Sequence, residues 1–295
     1  MMTKAVKMEK EKGSSIWREV CLRLLHNKRA VFAMTILFLL LIIVVFADLI
    51  SPYSRGVDLN IPDRFTSPCG EYWFGTDMYG RDQFTRTIHG TRISLLIQIR
   101  SATIAAIVGT LIGVSGAYFG GKIDNIIMRI LDVWMAMPSL LVTLAIIAGL
   151  GLGLPQTIFA LAFGATPGFA RTLRAAALSV SSQEFVESSV AQGASSWRIM
   201  MHDLIPNVIS QLLIQFTMNV SYMILLGSTL SFLGLGVQSP TPEWGAMLAE
   251  GLQNYQYYPY LVIYPGLFLA FTALAINIFG DALRDAFDPK LKGRA

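Results

Sequence analysis

Charge is scarce in this sequence. Asp, Glu, Lys and Arg make up 14% of its residues, whereas a soluble domain carries about 25%. That shortage excludes an ordinary solvated surface, and the 54% hydrophobic content points to lipid. Histidine and cysteine are scarcer still, three and two. His26, His89, His202, Cys21 and Cys69 show no metal-ligand spacing, so no metal site is expected. No G-x-x-x-x-G-K-[ST] run occurs, which excludes a phosphate-loop ATPase within the chain. No convergent catalytic set is present either, so no catalytic residue is assigned. The net charge of +4 follows from the topology described next and implies no nucleic-acid partner.

What the sequence does contain is long apolar runs. Residues 30–47, 101–121, 133–170, 204–242 and 251–280 hold no Asp, Glu, Lys or Arg. A spanning helix needs about 20 apolar residues, so each of the two longest runs holds one span plus a turn, or two spans. Six spans are expected, at 30–49, 98–118, 127–148, 156–177, 208–230 and 259–281, which makes an all-α polytopic membrane protein. The first run leads into Phe46, Ala47 and Asp48, so it reads as an uncleaved span and not as a signal peptide. Arg100 interrupts a run that would otherwise begin at Ile93. Starting that span near 98 sets the guanidinium among the outer headgroups, where it can snorkel, in preference to a buried place along a transport path.

Basic residues give the orientation. Lys4, Lys7, Lys10, Lys12, Arg18, Arg23, Lys28 and Arg29 crowd the N-terminal end. With that end cytoplasmic, six spans return the C-terminus to the same side. Lys122, Arg129, Arg171, Arg174, Arg198, Arg284, Lys290, Lys292 and Arg294 then fall inside as well. The positive-inside rule supports N-in and C-in. The chain divides into a basic tail at 1–29, a first span at 30–50, an external segment at 51–91, a core with five spans at 92–281, and a tail at 282–295. Cys21 and Cys69 fall on opposite sides and cannot pair within one subunit. Ile16, Val20, Leu24 and Leu25 make the basic tail amphipathic. It reads equally as a helix on the inner membrane face or as a positive tail that sets topology.

The inner loop 178–206 carries the most information. Glu184 to Gln192 suit a helix, which Gly193 ends in the left-handed conformation open to glycine. Ala194 to Leu204 form a second short helix, with Trp197, Ile199, Met200 and Leu204 on its apolar side. Pro206 and Asn207 mark the start of the next span. Such a hairpin docks into a groove of another protein or lies on the bilayer surface; composition alone leaves both open. On the outer side, Gly75-Thr76-Asp77 and Gly80-Arg81-Asp82 have turn chemistry, and Asp77 or Asp82 suits the cap of the following helix. Phe232, Leu233 and Gly234 begin a segment that suits a re-entrant excursion packed on protein, with Glu243 and Trp244 beyond Pro240 and Pro242. Asp132, three residues after Arg129, reads as one half of an intrahelical ion pair.

Several of these blocks resemble one family. Glu187-Ser188-Ser189, three residues, Gly193, nine residues, then Asp203-Leu204-Ile205-Pro206 is similar to the EAA loop of binding-protein-dependent ABC importer permeases. Glu187, Gly193 and Pro206 match that pattern; Ser188, Ser189, Asp203 and Ile205 depart from it. Residues 74–82, 116–121, 132–139, 231–247 and 280–291 resemble, in order, the blocks of the dipeptide, oligopeptide and nickel branch, in its second, C-type permease. The resemblance covers about residues 20–292 and implies a type I importer fold in the cytoplasmic (inner) membrane of a bacterium or archaeon. It also implies the partners: a second homologous permease subunit, two ATPase subunits that hold ATP and Mg, and an external substrate-binding protein. On this basis Glu184, Glu187, Ser188, Ser189, Gly193, Trp197, Arg198 and Pro206 are coupling-loop candidates. Gly75, Thr76, Asp77, Gly80, Arg81, Asp82, Phe232, Leu233, Gly234, Glu243 and Trp244 are external docking or gating candidates. No cofactor is expected on this chain.

Peptide import is the commonest role in that branch and is the preferred reading; nickel or another small solute is the alternative. A stand-alone ion-coupled carrier is the rival of a different class. It would want ionisable groups near mid-membrane, and four of the six expected spans have charge-free interiors.

Overall fold

The computed structural model describes residues 15–287. The basic residues Lys4, Lys7, Lys10, Lys12, Lys290, Lys292 and Arg294, and the end of the 280–291 block, lie outside the described residues. Among the described residues the fold is all-α, with one isolated antiparallel bridge between Thr76 and Asp82. Helix α1 (Ser15–His26) gives way to α2 (Lys28–Ile50), whose start is set by Asn27: its side chain accepts from the Arg29 and Ala30 N–H groups. Helix α2 is apolar on every side and buries only Ala30, Ala33, Leu40 and Ala47, the pattern of a helix in lipid.

Helix α3 (Gln83–Phe119) runs 37 residues, about 55 Å at 1.5 Å per residue. It begins well before the expected start near 98. Asp82 caps it, accepting from Phe84 N at 3.1 Å. The first half is polar but buried, including Gln83, Thr87, His89, Thr91, Ser94 and Gln98; the apolar half begins beyond it. Composition therefore located only the apolar part of the helix, while turn chemistry offered Asp82 as its cap. Arg100 lies exposed within this helix, between Ile99 and Ile104. Several contacts tie α3 to the end of α2, among them Arg92 donating to Asp48 at 2.6 Å and the Ser51 and Thr85 hydroxyls meeting at 2.5 Å.

The expected third span, 127–148, is not one straight helix. It is α4 (Gly121–Met135) and α5 (Ser139–Leu150), bent by 83°. Pro138 causes the break: it lacks an N–H and disfavours helix at Met137. Helix α6 (Leu154–Ser181) packs along α3. Small residues allow the approach, since a Cβ on Gly109 would lie 2.4 Å from Phe169 Cβ and one on Gly113 2.3 Å from the Ala170 carbonyl oxygen. Close helix contact through small residues is the usual basis of packing in membranes.

After α7 (Glu184–Ala191) the chain makes a helical turn at Ser196–Arg198, a π-helix at Ile199–Leu204 and a 3-10 turn at Ile205–Val208, then enters α8 (Ile209–Phe232). Helices α9 (Trp244–Leu252) and α10 (Tyr260–Phe287) complete the described chain. Among the described residues, four helical runs are long and apolar enough to cross a membrane, or five if the bent pair is one span. Helix α6, the expected fourth span, is 28 residues long but is not among them. The principal core gathers Ala102, Ala105, Phe169, Leu173, Met223 and Ile276 from α3, α6, α8 and α10. Helix α1 packs Val20 and Leu24 onto Ala282, Leu283 and Ala286, so the first and last described helices meet at one end of the bundle.

Candidate functional site

The inner-loop candidates form a compact hairpin. Glu184 and Glu187 sit in the first turn of α7, where carboxylates favour the helix dipole. The Ser188 hydroxyl donates to the Glu184 carbonyl at 2.9 Å, and the Ser189 carbonyl accepts from Ala194 N at 3.1 Å. Gly193 has φ +77, and an added Cβ there would meet nothing within 4 Å; backbone conformation, not space, selects glycine. Ser195 then caps the next turn, accepting from Arg198 N.

Val186, Ile199, Met200 and Leu204 enter the principal core, which anchors the hairpin to α3, α6 and α8. Glu184, Glu187, Ser188, Arg198 and Pro206 are exposed and Ser189 is half-buried. Trp197 does not share the buried face of Ile199, as the sequence suggested; it stands out at 60% exposure. The π-helix beginning at Ile199 changes the register on which that expectation rested. Phe185 and Val190, not singled out from the sequence, are exposed at 40% and 53% and give the hairpin an apolar outer surface with Trp197. Their helical spacing to Val186 was visible, but nothing told the anchored face from the free one.

Nearby, Asp132 pairs with Arg171 and not with Arg129, while Arg174 grips Asp124 with two N–H groups. Both pairs join α4 to α6. The near-neighbour pairing expected along the helix gives way to a cross-helix contact.

The outer candidates divide in two. Gly75 and Gly80, both at φ +74, shape the turn ahead of α3. Thr76 is buried: its hydroxyl accepts from Thr66 N and donates to the Asp63 carbonyl. Asp77, Arg81, Arg86 and Glu250 form a neutral quartet of two cations and two carboxylates. Arg81 Nε donates to Asp77 Oδ2 at 2.6 Å and its terminal nitrogen to Glu250 Oε2 at 2.8 Å. Arg86 donates to the same Glu250 oxygen at 2.9 Å. Its other terminal nitrogen lies 3.2 Å from Asp77 Oδ2, close enough for an ion pair but misaligned for a hydrogen bond. Ser239 accepts the remaining Arg81 donor at 3.0 Å, and the guanidinium lies 4.6 Å above the Tyr79 ring. Both arginine side chains are 1% exposed. Arg86 and Glu250 were not expected from sequence; they carry no motif and come from elements far apart in the chain.

Glu243 caps α9, accepting from Ala246 N at 2.9 Å and from the Ser94 hydroxyl at 3.1 Å. It is fully buried, and burial pushes its carboxyl above the ordinary value of 4.5 against the pull of the Ala246 and Gly245 N–H groups. Trp244, also fully buried, donates from its indole to the Thr87 carbonyl at 3.1 Å and covers Gly90. Asp77, Arg81, Asp82, Glu243 and Trp244 are thus brought together around the first half of α3. Phe232, Leu233 and Gly234 stand apart at the turn after α8, with Phe232 and Leu233 exposed. The sequence offered turn and cap chemistry for the 75–82 residues of this group and, by resemblance, docking or gating for all of it. These side chains are buried, while Trp73, Tyr79 and Tyr257 present an exposed aromatic surface beside them.

Comparison with known proteins follows the same lines. The profile of the family described as binding-protein-dependent transport system inner membrane component matches residues 105–293. The N-terminal TM domain of oligopeptide transport permease C matches residues 15–68. The dipeptide transport system permease protein DppC of Alkalihalophilus pseudofirmus is 40% identical over 278 residues, covering 94% of this chain and 91% of that protein. The glutathione transport system permease protein GsiD of Escherichia coli is 39% identical over 277 residues, with the same two coverages of 94% and 91%. Among solved structures, a chain of the MetNI methionine ABC transporter in an inward-facing conformation superposes with a TM-score of 0.55 at 20% identity. That match covers 69% of this chain and 97% of the other, and shows the likeness of fold. The chain belongs to the family of inner membrane components of binding-protein-dependent transport systems.

Proposed function

We propose that this chain is one of two permease subunits of an ATP-driven importer of di- and oligopeptides. Six spans with both ends cytoplasmic suit this role, with α6 and the broken α4–α5 pair completing the set. An external binding protein delivers the peptide, and a second permease completes the pathway. Two ATPase subunits dock on the inner hairpin and supply all hydrolysis, so the chain itself catalyses nothing. The cytoplasmic membrane of a prokaryote is its location.

The observation that carries this reading is the construction of the hairpin. Phe185, Val190 and Trp197 are exposed, while Val186, Ile199, Met200 and Leu204 are locked into the core. Movement imposed on the outer face is therefore delivered to α3, α6 and α8. Coupling of this kind needs a two-state element that both ATP and loaded binding protein bias. The dipeptide and glutathione substrates in the relatives' names support peptide as the cargo class.

The test is reconstitution of the chain with its partner permease, ATPases and binding protein in proteoliposomes. ATP-dependent uptake of a dipeptide, stimulated by binding protein and lost in a Gly193→Val variant, is the expected result. Uptake of nickel in place of peptide would reassign the cargo. Transport by the chain alone, without ATP, would overturn the reading in favour of an ion-coupled carrier.

A further inference from the structure

A cavity of about 320 Å³ opens where α4 breaks into α5. Trp134, Pro138 and Ser139 line it from the break, Gly168 from α6, and Asn219 and Tyr222 from α8. No charged residue is among its lining residues. Its polar groups are nonetheless arranged for hydrogen bonding. The Trp134 indole N–H is buried without a partner. The Ser139 and Tyr222 hydroxyls meet at 3.0 Å. Pro138 provides no side-chain cap, so the first N–H groups of α5 lack partners within the helix.

The outward face of α8 points the same way. Gln211, Gln215, Met218, Tyr222, Leu225 and Thr229 recur at alternating spacings of four and three residues, and all are exposed or half-buried. They belong to a helical run apolar enough to cross a membrane. Polar side chains within such runs face a neighbouring protein surface or a water-filled cavity, not lipid. One stripe of α8 thus leads to the cavity and turns away from the chain's own core.

We propose that this cavity and the Gln215–Tyr222 stripe form this subunit's wall of the translocation path, and that they hold a passing peptide by its main-chain amides. The inference rests on the permease reading and adds its contact surface. An indole N–H and free backbone N–H groups donate to peptide carbonyls, while the Ser139, Asn219 and Tyr222 side chains both donate and accept. With no charge in the lining, the wall does not trap the peptide's ionised ends, and it reads nothing of its side chains. Passage requires binding favourable enough for a peptide to enter and weak enough for it to leave; neutral hydrogen bonds meet both demands.

Gly168 supplies the test, because it lines the cavity and a Cβ there would meet nothing within 4 Å, so a larger side chain is expected to extend into the cavity. In proteoliposomes holding the complete complex, Gly168→Leu is expected to abolish ATP-driven trialanine uptake while the subunits still co-purify. The second measurement uses a chain with Cys21→Ser and Cys69→Ser replaced. Tyr222→Cys is then expected to react with a membrane-impermeant thiol reagent and to be protected by trialanine with its binding protein. Ile107→Cys, on the exposed apolar face of α3, serves as the unreactive control. If the unaltered complex takes up no trialanine with ATP, the peptide-import reading on which this inference rests fails. If it does, undiminished uptake by Gly168→Leu, or a Tyr222→Cys that stays unlabelled or unprotected, overturns this inference alone. Should Gly168→Leu fail to assemble, the Tyr222→Cys labelling decides.

Discussion

The guanidinium of Arg81 meets the carboxylate of Glu250 at 2.8 Å across 169 positions of chain. The contact fastens the segment before α3 to α9, and the Arg86–Glu250 and Arg81–Asp77 bonds with the Arg86–Asp77 ion pair complete a largely buried square. Removing one member leaves the other three with one charge in excess and fewer partners to balance it. Breaking such a pair costs about 3–5 kcal/mol. Arg81→Met and Glu250→Gln should each lower the thermal midpoint of the detergent-purified complex sharply. The double variant should lose less than the sum of the two. Additive losses in that double-mutant cycle would show that the two residues do not interact.

Two glycines with similar left-handed angles should behave differently when replaced. At Gly80 a Cβ would lie 1.7 Å from the Asn60 carbonyl oxygen, whereas at Gly193 it would meet nothing. Gly193→Ala carries only the left-handed backbone cost of about 1–2 kcal/mol. Gly80→Ala adds a collision with backbone that cannot rotate away. The expected outcome is loss of folded subunit for Gly80→Ala, read by size-exclusion profile, and a folded subunit for Gly193→Ala. Equal behaviour of the two would refute the packing argument.

What the sequence made legible follows from locality. Apolar runs located the long helices, the Gly193 signal ended α7 where the structure ends it, and Asp82 is the cap its turn chemistry suggested. Pro138 stood inside a matched block, but its effect on direction depends on how α4 and α5 pack, so the break was not foreseen. Asp132 had a cation three residues away and chose Arg171 on another helix. Trp197 was misplaced because a π-helix is a tertiary accommodation that propensity does not encode. Arg86 and Glu250 were missed for the same reason: their meaning lies in a contact between remote elements.

Glu243 gives a pH dependence whose sign can be fixed. Burial raises its carboxyl above the ordinary value of 4.5, so over the interval between the two values the folded state binds more protons than the unfolded state. Stability from this group therefore falls as pH rises through that interval and levels off above it. Glu243→Gln removes the titration while keeping an oxygen for the Ala246 N–H. The variant's thermal midpoint should vary less with pH than the parent's on the alkaline side of 4.5. Parallel curves for parent and variant would show that Glu243 does not titrate in this way.

Under the proposed function, the hairpin would separate docking from folding within a few residues. Trp197 is 60% exposed, whereas Ile199, two positions on, is fully buried. Substitutions of exposed residues away from special features usually change stability by no more than about 0.5 kcal/mol, so Phe185→Ser and Trp197→Ser should leave the subunit's thermal midpoint nearly unchanged. Truncating a buried aliphatic side chain costs about 2–5 kcal/mol, so Ile199→Ala should lower it. Interfaces concentrate their energy in aromatic anchors. Phe185→Ser with Trp197→Ser should therefore abolish co-purification of the ATPase subunits, with folding intact. If the ATPases still co-purify, the apolar outer surface is not their seat, and the same residues must instead meet the bilayer surface. Binding of the isolated subunit to anionic vesicles, lost in that double variant, would then identify the surface.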